Sequence, residues 1–116
     1  MQRDDDALLL DMLLAARQAH EFTRDMTRQQ FKNDERTQLA VQHTLLIIGE
    51  AGNRVSDERQ HQHPEIPWRE IRGLRNRIAH DYININLETV WDIVQDRIPE
   101  LIIVLDQIVP PPREKD

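Results

Sequence analysis

Apolar residues recur along this chain at steps of three and four, the interval that lines one face of an α-helix. Leu8, Met12, Ala15, Ala19, Phe22 and Met26 form the first such stripe and predict a helix from about Asp4 to Met26. Asp4, Asp5 and Asp6 stand at its start, where negative charge favours the positive end of the helix dipole, and that role accounts for them. A second stripe, Ala40, Thr44, Ile47, Ala51 and Val55, is widened by Val41, Leu45 and Ile48. It predicts a long helix that follows Asn33 as N-cap, has Asp34 and Glu35 in its first turn, and ends between Val55 and Asp57. Gly49 and Gly52 interrupt it at a cost of about 1 kcal/mol each relative to alanine, which predicts the close approach of another helix.

Residues 57–66 are polar and contain Pro64, so they are expected to form a connecting loop. Pro67 suits the first turn of a third helix, with Trp68, Ile71, Leu74 and Ile78 on its buried side. After Asn84 or Asn86 comes the clearest stripe: Leu87, Trp91, Val94, Ile98, Leu101, Leu105 and Ile108. Pro99 lies within it and predicts a kink, because proline lacks an N–H and its ring crowds the preceding turn. Pro110, Pro111 and Pro112 stop the helix before a charged tail. The reading is therefore all-α: an antiparallel up-and-down bundle of four main helices in one domain over residues 1–109, with a Pro-rich tail at 110–116. The seam of the last helix leaves room for a subunit interface, hence for a homodimer.

Composition narrows the function classes. The chain has 116 residues, no cysteine and a net charge of −6. A thiolate site and a disulfide framework are excluded, and cytoplasmic residence is the default expectation. Leu8, Leu9 and Leu10 are preceded by acids and cut by Asp11, so neither a signal peptide nor a membrane span is expected. Overall acidity argues against non-specific nucleic-acid binding, so RNA or DNA would have to be met locally.

Residues 69–77 are the local exception. Arg69, Arg72, Arg75 and Arg77 stand there against the single acid Glu70, and His80, Asp81 and Tyr82 follow. A permanently charged forked donor and a group that exchanges protons near neutral pH suit phosphodiester chemistry without a metal. In a continuous helix, however, positions 75 and 80 lie about 140° apart. Either the helix ends or loosens near Ile78 to His80, which the weak helix formers at 80–84 favour, or the two groups meet across a symmetric interface. Arg77 and Asp81 also have ordinary ion-pair spacing, and a histidine suits a helix C-terminus, so physics alone leaves a solvated arginine-rich face open. His61-Gln62-His63 has no evident third ligand and reads as a loop. Trp68 and Trp91 fall on apolar stripes and read as core.

The pattern Arg75-Asn76-x-x-x-His80-x-Tyr82 resembles the signature of HepT-like proteins in the HEPN superfamily. Ile48-Gly49-Glu50-Ala51, Ile66-Pro67-Trp68, Ile71-Arg72-Gly73-Leu74, Val90-Trp91-Asp92-Ile93-Val94 and Pro99-Glu100-Leu101 extend the resemblance over about residues 38–105. It implies a dimeric helical bundle that acts as a metal-independent ribonuclease toxin on tRNA or other cellular RNA, with no cofactor. It also implies catalytic roles for Arg75 and His80. Asn76 and Glu50 are expected as supporting residues, by hydrogen bonding and by facing the motif. Tyr82 is implied as the AMPylation site of a minimal nucleotidyltransferase antitoxin. The rival readings are a non-catalytic helical module that binds RNA or the nucleotidyltransferase, and a purely structural dimer.

Overall fold

A computed structural model describes residues 4–81 and 84–110. Its elements are α1 (Asp5–Phe22), α2 (Arg28–Lys32), α3 (Glu35–Arg54), α4 (Asp57–Gln62), α5 (Trp68–Asp81) and α6 (Leu87–Asp92), then a π-helical turn (Ile93–Arg97) that runs into α7 (Ile98–Ile108). No strand occurs among the described residues. α1 packs between α3 and α7, and α5 flanks α3 on its other side, so the up-and-down helical bundle expected from the stripes is formed. Leu8, Leu9, Met12, Val41, Leu45, Ile48, Val90, Val94 and Leu105 are its nearly inaccessible centre. No helix among the described residues is long and apolar enough to cross a membrane.

Four local expectations are corrected. α1 stops at Phe22 rather than Met26: Thr23 caps it, Asp25 adopts a left-handed φ of 63°, and Phe22 is exposed. The turn feeds α2, which the hydrophobic pattern had not revealed. Thr27 and Gln30 form a reciprocal capping box there, and Phe31 is buried against Trp91 with ring centroids 5.4 Å apart. The N-cap of α3 is Asp34, whose carboxylate accepts from the Thr37 N–H at 3.0 Å, while Asn33 instead closes α2. The expected loop 57–66 contains α4, with Ser56 as its N-cap.

α4 is tied to the start of α1. Asp5 accepts from the Ser56 backbone N–H at 3.0 Å and from its hydroxyl at 2.6 Å, and Arg59 donates to Asp6 at 2.9 Å. The leading aspartates thus serve the helix dipole and also fasten α4 over the bundle end.

Pro99 acts one turn upstream. It offers no N–H to the Gln95 carbonyl and its ring crowds that group, so the helix widens: the Ile98 N–H bonds to the carbonyl of Ile93, five residues back. The last helix begins at Asn86, whose side chain accepts from the Glu88 and Thr89 N–H groups at 2.9 and 3.3 Å. Residues 111–116, most of the expected tail, lie outside the described residues.

Candidate functional site

The site is built on α5. Pro67 opens it, the Trp68 indole N–H donates to the His63 carbonyl at 3.0 Å, and Trp68, Ile71 and Ile78 turn inward. Burial on that side leaves the arginines on the flanks.

Arg75 is placed by backbone contact. α5 crosses α3 at Gly49 so closely that a methyl group there would come within 2.5 Å of Arg75 Cβ and 2.8 Å of its backbone nitrogen. Gly52 makes the same allowance for Ile71, one turn along, since its methyl would lie 2.5 Å from Ile71 Cγ2. The two glycines therefore have the packing reason their helix-propensity cost predicts.

This crossing brings the Arg75 Nε within 2.8 Å of Glu50 Oε1, and Arg75 Nη1 donates to Asn76 Oδ1 at 3.3 Å. The ion pair is 42% and 44% exposed, so it adds little stability. Its effect is orientation. Glu50 takes the Nε–H and Asn76 an Nη1–H, while Nη2 makes no hydrogen bond among the described residues and is left to meet an anion.

His80 lies in the last turn of α5, exposed, and its ring has no hydrogen-bond partner among the described residues. The helix neither ends nor loosens before it, contrary to the expectation drawn from the weak helix formers, because α5 continues to Asp81. Packing of Ile78 against the bundle carries the helix past those residues. Arg75 and His80 therefore remain about 140° apart on one helix. One chain brings Glu50, Arg75 and Asn76 together, and His80 shares a face of α5 with Asn76, one turn on, but not with Arg75. Tyr82 lies outside the described residues. Arg77 and Asp81 form no ion pair among the described residues, so their spacing is not used that way.

His61 and His63, the pair spaced like chelating ligands, have other partners. His61 Nδ1 lies 2.7 Å from the Asp57 carbonyl, while His63 Nε2 accepts from Arg59 Nε at 3.2 Å. No cluster of three potential metal ligands occurs among the described residues. Both tryptophans are core, as their stripes predict.

Beside α5 runs an apolar groove of about 340 Å³, lined by Ile48, Gly73, Leu74, Ile93, Ile98 and Leu101. Arg97 donates to Glu70 at 2.8 Å, joining residues on its two walls. The apolar spacing predicts Leu74 on the buried side, but it is only half-buried because α5 packs chiefly on α3.

The Ribonuclease HepT-like family matches residues 12–108. The "Probable ribonuclease HepT" of Thermococcus cleftensis is 37% identical over 87% of this chain and 92% of its own length. The "Putative RNase MJ0127" of Methanocaldococcus jannaschii is 35% identical over 93% of this chain and 89% of its own. Another protein of that organism, "Putative RNase MJ0125", is 32% identical over 98% of each chain. No solved structure matches. An all-helical bundle that presents an arginine, an asparagine and a histidine from one helix agrees with these likenesses: the chain belongs to the HepT-like family of ribonucleases.

Proposed function

We propose that this ribonuclease is the toxin of a toxin–antitoxin pair and that it cleaves tRNA or another cellular RNA in the cytoplasm without a metal. The observation that carries the reading is the Arg75 guanidinium, anchored through Nε by Glu50 and through Nη1 by Asn76, with Nη2 left for a phosphate oxygen. The ribose 2′-oxygen attacks the adjacent phosphorus and the 5′-oxygen leaves. His80 assists by taking the 2′-hydroxyl proton or by giving one to the leaving oxygen, and Arg75 stabilises the charge developing on the phosphoryl oxygens.

The angular separation of Arg75 and His80 favours a site completed by a second copy, with Arg75 of one chain facing His80 of its mate across a symmetric interface. A partner nucleotidyltransferase acts as antitoxin. It transfers AMP from a nucleoside triphosphate to the Tyr82 hydroxyl, with pyrophosphate leaving. The added negative charge beside a basic RNA site then repels the substrate.

Mixing Arg75→Ala and His80→Ala chains tests the composite site. Each alone is inactive, and random reassortment gives half heterodimers with one complete site of two, so cleavage returns to about a quarter of the wild-type rate. No recovery on mixing would place both groups in one chain. An absence of RNA cleavage by the wild-type protein, with growth inhibition on expression unaffected by His80→Ala, would remove the toxin reading itself.

A further inference from the structure

On the α3-facing flank of α5, one turn before Arg75, Arg72 sits at a cleft of about 630 Å³ between the end of α3, α4 and the start of α5. Asn53, Gln60, His61, Trp68 and Arg72 line it, with Asp57 as its acid. Arg72 Nη1 donates to Gln60 Oε1 at 3.0 Å, and the Gln60 amide donates in turn to the Val55 carbonyl at 3.0 Å and the Gly52 carbonyl at 3.4 Å. The guanidinium is thus fixed through a neutral amide anchored on the end of α3.

This mode of support is unlike that of its neighbours. Arg17, Arg28, Arg59, Arg75 and Arg97 each pair with a carboxylate. Among the described residues Arg72 forms no ion pair, although Asp57 lines the same cleft, and its hydrogen bond to Gln60 meets part of its ordering cost. An arginine held in this way is pre-organised for an anion.

Its position gives the anion an identity. The bonds of Arg72 to Gln60 and of Arg75 to Glu50 put both guanidinium groups on the same side of α5, about 4.5 Å apart along the helix axis. Arg69 continues the series one turn earlier. The cleft beside Arg72 has the volume of a small-ligand site and polar groups suited to a base edge: the Asn53 amide, and the Nε2 of His61, whose Nδ1 is committed to the Asp57 carbonyl.

We propose that this cleft is a nucleotide subsite of the RNA substrate. Arg72 binds the phosphate next to the scissile one, and Asn53 and His61 read the attached base. The subsite rests on the ribonuclease reading above and extends it from the scissile bond to the neighbouring nucleotide.

Binding of labelled oligouridylate and oligoadenylate to His80→Ala protein, followed by anisotropy over a range of salt, tests it. Adding Arg72→Gln weakens binding roughly tenfold and reduces the slope of log affinity against log salt by about 0.7, the share of one single-strand phosphate contact. Asn53→Asp, which adds a negative charge to the cleft and leaves Arg72 in place, weakens binding in the same direction. Circular dichroism checks that both variants keep the fold. If both bind as tightly as the parent with the same salt slope while wild-type protein cleaves RNA, the subsite is wrong and the ribonuclease reading stands. If wild-type protein neither binds nor cleaves RNA, both fall.

Discussion

Gly49 and Arg75 meet backbone to backbone, and the absence of a side chain on the first gives the second its place. A methyl group at position 49 would lie 2.9 Å from the Arg75 Cα as well as against its nitrogen and Cβ. Atoms so close to a helix backbone cannot move aside alone, so Gly49→Ala must push α5 away from α3. The gain of about 1 kcal/mol in helix propensity is outweighed by overpacking of about 1–3 kcal/mol. The variant is expected to unfold at a lower denaturant midpoint and to lose RNA cleavage more steeply than stability, because Arg75 is displaced from Glu50. Cleavage at the wild-type rate in folded Gly49→Ala protein would show that the crossing does not position the arginine.

Glu50 carries charge of the wrong sign for RNA, yet it grips Arg75 at 2.8 Å. Orientation and repulsion should separate in the kinetics. With Glu50→Gln, kcat falls roughly tenfold as the guanidinium loses its charged anchor, while KM does not rise because a negative charge has left the site. A raised KM with unchanged kcat would make Glu50 a substrate-binding group instead. Stability should shift by no more than about 1 kcal/mol, since the pair is largely solvated.

The sequence was most informative where periodicity and burial coincide. The α1 stripe from Leu8 to Ala19, the α3 core from Val41 to Val55, and the last helix from its Asn86 cap all follow from spacing and capping chemistry. Short helices escaped because five or six residues cannot display a period. α2 rests on a capping box and one buried ring, and α4 on Ser56 and its ties to Asp5. At the site, the motif and the cost of Gly49 were legible, but the identity of the residue filling the space above that glycine was not. That depends on the α3–α5 crossing, a long-range relation with no local signature. Continuity of α5 through His80 is illegible for the same reason: propensity disfavours it, and burial of Ile78 decides it.

Acid should release the clasp between α1 and α4. Hydrogen bonds from the Ser56 hydroxyl and then its backbone N–H hold the Asp5 carboxyl below its ordinary range. Bonds from Thr37 do the same for Asp34, as do Lys32 and Arg28 for Glu88. A carboxyl depressed in the folded state contributes stability that is complete above its unfolded value, about 3.9 for aspartate, and is lost as pH falls through the folded value. These three groups therefore contribute no pH dependence between about pH 5 and 8 and destabilise the fold below about pH 4. In thermal melts, Asp5→Asn should lie below wild type at neutral pH, with a gap that closes as acid protonates Asp5. A gap that stays constant down to about pH 3 would assign the effect to shape rather than charge.

Gly73 behaves oppositely to Gly49, although both lie inside helices. A methyl group on Gly73 meets nothing within 4 Å, and the residue is exposed on the wall of the groove beside α5. Within one chain, Gly73→Ala carries only the propensity term, so it should stabilise the fold by about 0.5–1 kcal/mol and raise the melting temperature by a few degrees. The same substitution probes the second copy invoked for the catalytic site. Should another backbone approach α5 at this point, the added methyl would collide with it, and the variant would show a lower melting temperature with a smaller sedimentation coefficient. A rise in melting temperature with unchanged sedimentation leaves α5 free at Gly73 and requires any pairing of Arg75 with a second His80 to use another face of the helix.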